Sequence, residues 1–171
     1  MSISPVPRYS FRKITDISPV FLNKLGIRFL MLDLDNTIAA YSEHLPSDGI
    51  IRWAEEIKNG GIELFIVSNS VRKDRVEVFA EALGIGYIKG ARKPSRTGVR
   101  SAMASAGYNE DESALAGDQV YTDSLAAKRA GIVSIIVMPR RFTNLFLALR
   151  YAFESPFRAL SKNKMWRFAG E

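Results

Sequence analysis

The chain has 171 residues, no cysteine, one histidine and a formal net charge of +6, a length that suits one domain with its own core rather than two. Its 47% hydrophobic and 25% charged residues are those of an ordinary soluble domain and argue against a collagenous or disordered chain. Without cysteine there is no thiolate metal site or cysteine nucleophile, and with His44 alone in a polar stretch any metal must be held mainly by oxygen, which favours magnesium or calcium.

Residues 1–26 form a basic N-terminal segment. The opening MSISPVPRYSFRKITDISPV is interrupted by Pro5, Pro7 and Pro19 and lacks the apolar stretch of an export signal. Apolar runs elsewhere, such as Gly131 to Pro139, fall far short of the roughly 18 to 20 residues that cross a bilayer. The expectation is a cytoplasmic protein. Residues 1–30 carry five basic and one acidic side chain, residues 31–137 twelve and fifteen, and residues 138–171 seven and two. The basicity therefore sits at the two ends, where it serves as a solvated face or meets an acidic partner, a membrane surface or nucleic acid.

Residues 27–140 form the core. Apolar runs at 27–34, 62–67, 85–88, 114–118 and 132–138 are strand-length and apolar on both parities, the pattern of strands covered on both faces of a parallel sheet. Between them lie helical spacings. Ile50, Ala54 and Ile57 follow Ser47 and stop at Gly60-Gly61; Val76, Phe79, Ala80 and Leu83 stop at Gly84, a favoured helix terminator. Ala102 and Ala106 precede Gly107, and Ser124 to Ala130 precede Gly131. Alternating strands and helices predict an α/β, doubly wound parallel sheet of Rossmann-like form. Residues 141–171 form a basic, aromatic C-terminal tail. Leu145, Ala148, Leu149, Ala152 and Phe153 fall at helical spacing, a stripe read as packing against the domain. Beyond Pro156, Phe157, Leu160, Met165, Trp166 and Phe168 alternate with Arg158, Lys162, Lys164 and Arg167, a mixture suited to an anionic lipid interface or to a frayed helix end.

In doubly wound sheets, ligands bind beyond the carboxyl ends of the strands, and polar clusters fall at four of those ends. The first strand runs into Asp33-Leu34-Asp35-Asn36-Thr37. Two acids on one side of an extended chain are costly without a cation or proton between them. Ser68-Asn69 follow the second strand and suit phosphate oxygens, although alone they would also suit a turn. Lys93-Pro94 follow the third strand and Gly117-Asp118-Gln119-Val120-Tyr121-Thr122-Asp123 the fourth; Asp123 could equally cap a helix.

These four clusters, in this order, resemble the motifs of the haloacid dehalogenase-like (HAD) phosphatases over residues 27–138. The resemblance implies that Asp33 is a nucleophile forming an aspartyl-phosphate and that Asp35 protonates the leaving alcohol and then activates water. It implies Mg2+ held by Asp33, Asp118 and Asp123 with the carbonyl of Asp35, matching the ion's preference for hard oxygen ligands. Ser68 and Asn69 would bind the phosphoryl oxygens, Lys93 would balance charge, and Thr37 would fix the first loop. Only one helix fits between the first and second motifs, so there is no full cap domain. An open site resembles members that act on large substrates.

The GIRFLMLDLDNTI opening, ARKPSRTGVR and GDQVYTD are similar to subfamily IIIA, which includes phosphatidylglycerophosphate phosphatases. The resemblance implies dephosphorylation of phosphatidylglycerophosphate by an enzyme peripheral to the inner face of a membrane. A soluble phosphatase for a nucleotide, sugar phosphate or phosphoprotein is the alternative. An RNA- or ribosome-binding module is disfavoured, because the basic stretches carry no RNA-reading motif.

Overall fold

The computed structural model describes residues 4–70, 73–140, 145–161 and 163–164. Its elements in chain order are β1 (Tyr9–Phe11), a 3-10 turn (Ile14–Asp16), α1 (Pro19–Lys24), β2 (Phe29–Leu32), α2 (Asp48–Asn59), β3 (Glu63–Val67) and α3 (Lys73–Leu83). There follow β4 (Gly86–Ile88), α4 (Thr97–Ala106), β5 (Ser113–Gly117), a π-helical turn (Val120–Ser124), α5 (Leu125–Ala130), β6 (Val133–Val137), α6 (Leu145–Ala159) and β7 (Asn163–Lys164). The strands form one parallel sheet in the order β4-β3-β2-β5-β6-β1-β7. The five strands expected from the apolar runs are β2 to β6, and α2 to α5 lie between them as the spacing predicts.

Period-two alternation divides the sheet between two cores. Leu30 and Leu32 of β2, Leu64 and Ile66 of β3 and Ala114 and Ala116 of β5 join α2 and α3 on one face. Phe29, Met31, Phe65, Val67 and Leu115 join α4 and α5 on the other. Burial on both faces explains why these runs lack polar alternation.

From β2 the chain winds outward through β3 and β4, then crosses back to β5 and β6 on the other side. The loops leaving β2 and β5 therefore diverge, and a crevice opens at this switch point. No domain is inserted between β2 and β3, where α2 is the one helix.

The N-terminal segment is also built into the sheet. Tyr9, Ser10 and Phe11 pair in register with Ile135, Ile136 and Val137. Ser18 caps α1 by accepting the Phe21 N–H at 3.2 Å, and Pro19 occupies its first turn, where a missing N–H costs nothing. Phe11, Ile14, Ile17 and Leu22 enter the α2–α3 core, and the Trp53 indole donates to the Ile17 carbonyl at 2.8 Å. Three strand residues between Arg8 and Arg12 are too few to show a period.

The C-terminal tail corrects the sequence reading. The 145–153 spacing does form a helix, but α6 presents its apolar stripe outward: Leu149 and Phe153 are 51% and 74% exposed, whereas Glu154 and Arg158 are buried. Arg158 donates to the carbonyls of Val137 (2.9 Å) and Asp118 and to Glu154 (2.8 Å). Carbonyls at the exits of β5 and β6 need donors, and a buried guanidinium meets that need where an apolar side chain cannot. Met165, Trp166, Arg167 and Phe168 lie outside the described residues.

If β1 belongs to the same cooperative unit as the central strands, Phe11→Ala should destabilise the protein by about 3–5 kcal/mol. Urea unfolding should remain a single transition; a small early transition for the N-terminal segment alone would show that β1 folds separately.

Candidate active site

The candidate active site is assembled at the carboxyl edge of β2, β3 and β5. The Asp33 N–H donates to the Ala116 carbonyl at 2.8 Å, extending the β2–β5 ladder by one residue and setting Asp33 beside the exit that carries Asp118. Thr37 Oγ1 donates to Asp33 Oδ2 at 3.3 Å, while Lys93 Nζ lies 2.6 Å from Asp33 Oδ1 and 2.8 Å from Asp123 Oδ1. All five side chains, Asp33, Thr37, Lys93, Asp118 and Asp123, are buried.

Local chemistry holds each member in place. Asn36 takes the left-handed conformation, φ 61°, which asparagine tolerates better than most residues, and its N–H donates to Ala39 O at 2.7 Å. This tight turn sends Asp35 and Thr37 back over the strand end. Asp123 rides on the π-helical turn, a geometry often found at functional sites, and its Oδ2 accepts the Gln119 N–H at 3.0 Å. Gly117 is required beneath it: a Cβ there would stand 2.2 Å from Asp123 Cγ.

Asn69, expected at the phosphoryl group, is engaged with Lys93 in the structure. Its amide accepts the Lys93 N–H at 2.7 Å and donates to the Lys93 carbonyl at 2.8 Å, so this side chain positions the lysine backbone. Ser68 is buried at the β3 exit and its Oγ accepts the Ser70 N–H at 3.0 Å, which leaves the hydroxyl proton free to donate. Asp35 stands outside the group formed by the other three acids and pairs with Arg75 at 3.3 Å. His44 is exposed in the loop after β2, as its sequence surroundings imply.

One oxygen from each of Asp33, Asp118 and Asp123 lies within 4.8 Å of the others. Burial and the neighbouring charges push the Asp33 carboxyl up to about 7 despite Lys93. Asp118 is pushed well above the ordinary carboxylate value by burial and by Asp33 and Asp123. Burial works against the charge on Lys93, but Asp123 and Asp33 outweigh it and hold the ammonium form. Three crowded carboxylates against one ammonium leave net negative charge in a dry site. Asp118 Oδ1 is buried and, among the described residues, has no hydrogen-bond donor. The residues fit a hard divalent cation such as magnesium.

Three further residues reach the site that sequence reading missed. Arg150 of α6 pairs with Asp118 Oδ2 at 3.0 Å. Arg75 of α3 donates to the carbonyls of Ala40, Tyr41 and Glu43 at 2.6–2.8 Å while it pairs with Asp35. The Tyr41 phenol is held above its ordinary value by burial and by the charges of Asp35 and Asp118. No spacing rule distinguishes an arginine that points into a site from one on a solvated helix face.

A family model for haloacid dehalogenase-like hydrolases matches residues 10–131. The chain belongs to this family. It is 34% identical over 134 residues to the Bacillus subtilis protein named "Probable phosphatase YqeG", covering 78% of this chain and 77% of that one. Among solved structures, an uncharacterized protein from Listeria monocytogenes serotype 4b is similar with a TM-score of 0.57 and 16% identity, over 70% of this chain and 84% of that one. The cobalt-bound deoxy-D-mannose-octulosonate 8-phosphate phosphatase of Haemophilus influenzae is similar with a TM-score of 0.51 and 18% identity, over 67% and 70%. These two structures share the HAD fold; the sequence relative carries the closer tie, to an HAD-type phosphatase.

Two measurements probe the geometry. In metal-free protein the stability contributed by a neutral Asp33 is fully present below the ordinary carboxyl value of 3.8 and is lost as pH rises through about 7. The thermal midpoint in EDTA should therefore fall further between about pH 5 and pH 8 in wild type than in Asp33→Asn; equal falls would remove Asp33 as the cause. Gly117→Ala should displace Asp123 and weaken stabilisation by added magnesium, seen as a smaller rise in thermal midpoint on titration. A full magnesium response in that variant would show that Asp123 is not needed for the ion.

Proposed function

We propose that this HAD phosphatase is a magnesium-dependent phosphomonoesterase that works through a covalent phosphate on Asp33, with phosphatidylglycerophosphate as its substrate. The observation that carries the reaction is Asp33 itself: a buried carboxylate at a central strand exit, gripped by Lys93 and Thr37 and faced by two more buried acids.

In this reading Asp33 attacks phosphorus through one carboxylate oxygen, the bond from phosphorus to the ester oxygen breaks, and Asp35 gives a proton to the leaving alcohol. Asp35 then takes a proton from water as the water oxygen attacks phosphorus. The acyl-phosphate bond breaks, Asp33 regains its carboxylate and inorganic phosphate leaves. Two displacements replace one difficult hydrolysis. Asp33, Asp118, Asp123 and the Asp35 carbonyl would hold magnesium, which when bound would neutralise the phosphoryl charge. Lys93 adds a fixed positive charge beside the nucleophile, where preorganised electrostatics act most strongly. The Ser68 hydroxyl donates to a phosphoryl oxygen, and Arg75 fixes the place of Asp35.

A large substrate is supported by the open carboxyl edge, over which no inserted domain folds. The outward face of α6, with Leu149 and Phe153 exposed, adjoins the site through Arg150. An apolar face beside a phosphatase site supports the reading of a substrate presented at a lipid surface by an enzyme bound to an anionic membrane.

The test is phosphate release with magnesium from phosphatidylglycerophosphate in mixed micelles against a panel of soluble monoesters. Asp33→Asn should lower turnover more than about 10³-fold, as loss of a nucleophile does elsewhere. Preference for the lipid supports the full reading. Turnover of soluble esters alone keeps the reaction and discards the lipid; no turnover of any ester returns the basic ends to the RNA-binding alternative.

A further inference from the structure

We propose that a basic cavity beside Asp33 is a second anion-binding site, so that the enzyme selects phosphomonoesters that carry a further anionic group. This rests on the phosphomonoesterase reading above and narrows the class of substrate.

The cavity has a volume of about 390 Å³ and is lined by Arg12, Lys13, Thr37, Met138 and Arg140, among others, with no carboxylate among the described residues of its wall. That volume lies within the roughly 300–1,000 Å³ of small-molecule sites. Topology explains why these residues meet. In a parallel sheet every strand exits on one edge, and β1 lies beside β6. Arg12 and Lys13 leave β1, Met138 and Arg140 leave β6, and Thr37 belongs to the loop leaving β2.

The cations differ in how they are held. Arg140 is anchored: its N–H donates to Asn36 O at 3.0 Å, and its guanidinium reaches Ile38 O at 3.3 Å and Glu43 at 2.9 Å. Glu43 offsets part of its charge. Arg12 and Lys13 make no ion pair among the described residues, and both are exposed. Lys13 is fixed through its backbone, whose N–H donates to Asp16 Oδ2 at 2.9 Å. Like charges gathered on a concave wall concentrate positive potential and repel one another until an anion enters.

Thr37 joins this cavity to the chemistry, since it lines the wall and also donates to Asp33 Oδ2 at 3.3 Å. A substrate with its monoester phosphorus at Asp33 would thus bring a second charged group, a few bonds away, against Arg12, Lys13 and Arg140. A phosphodiester and a carboxylate share the required chemistry. The phosphodiester is the form expected for a phospholipid head group, and the carboxylate that of a sugar-acid phosphate.

The experiment compares kcat/KM for three soluble monoesters: glycerol 3-phosphate, glycerophosphoglycerophosphate with its added phosphodiester, and 6-phosphogluconate with its added carboxylate. Wild type should favour at least one two-anion ester over glycerol 3-phosphate by about tenfold or more. In Arg12→Glu/Lys13→Glu that ratio should fall by a similar factor, chiefly through KM, as expected for loss of charged contacts. Circular dichroism and the thermal midpoint check that the variant is folded. Loss confined to one two-anion ester keeps the site and says which anion it takes; an unchanged ratio overturns the proposal. If wild type cleaves none of the three, the phosphatase reading is decided by the micelle assay above. The cavity is then judged by NMR titration with glycerophosphoglycerol: shifts that disappear in the double variant keep it, and equal or absent shifts remove it.

Discussion

The structure depends on one buried ammonium group. Lys93 stands 2.6 Å from Asp33 and 2.8 Å from Asp123 with almost no exposure, and without it three carboxylates would face one another in a dry crevice. Burying an ion pair costs several kcal/mol per ion before attraction is counted, so such a cluster survives only when its geometry is imposed from outside. Two residues impose it. Asn69 uses both atoms of its amide to hold the backbone of Lys93, and Gly117, by having no side chain, leaves space for Asp123. Neither touches the reacting groups in the proposed chemistry, yet each sets the position of a charge that does. Even so, three acids against Lys93 and Arg150 leave a deficit of positive charge, which is the physical reason a divalent cation suits the site.

The same deficit explains the inversion of α6. Hydrophobic period alone would turn Leu149 and Phe153 toward the domain. Packed that way, they would leave the carbonyls of Asp118 and Val137 without donors and Asp118 without its arginine. Turning Arg150, Glu154 and Arg158 inward satisfies those groups and places a second cation against the acidic cluster. The cost is an apolar stripe left facing out. An exposed stripe of this kind is useful where it can be covered, and at a lipid surface it would lie beside the site mouth.

Much of this was legible from residue order. The five central strands and four intervening helices could be read because burial on both faces removes polar alternation and because Gly60-Gly61, Gly84, Gly107 and Gly131 mark helix ends. The convergence of Asp33, Lys93, Asp118 and Asp123 followed from their places at strand exits, since a parallel sheet collects all exits on one edge. What could not be read were contacts between segments distant in sequence. The grip of the Asn69 amide on the Lys93 backbone spans 24 positions of sequence and leaves no local signal. Arg75 and Arg150 look like solvated helix residues until the fold aims them at Asp35 and Asp118. Tyr9 to Phe11 is too short to announce a strand, and only pairing with β6 makes it one.

The loop leaving β2 shows how a site without an inserted domain keeps its shape. Residues 35–43 carry Asp35 and Thr37, and a free loop of this length would let both wander. Two arginines from opposite sides prevent that. Arg75, from α3, donates to the carbonyls of Ala40, Tyr41 and Glu43. Arg140, from the exit of β6, engages Asn36 and Ile38 through their carbonyls and Glu43 through its carboxylate. Each guanidinium offers several donors in a fixed plane, so it can bind multiple carbonyls at little further entropic cost. The loop is thereby fixed along its base while the crevice above it stays open. A rigid rim around an open mouth suits a substrate too large to be enclosed, because orientation must then come from fixed charges around the site and not from closure over it.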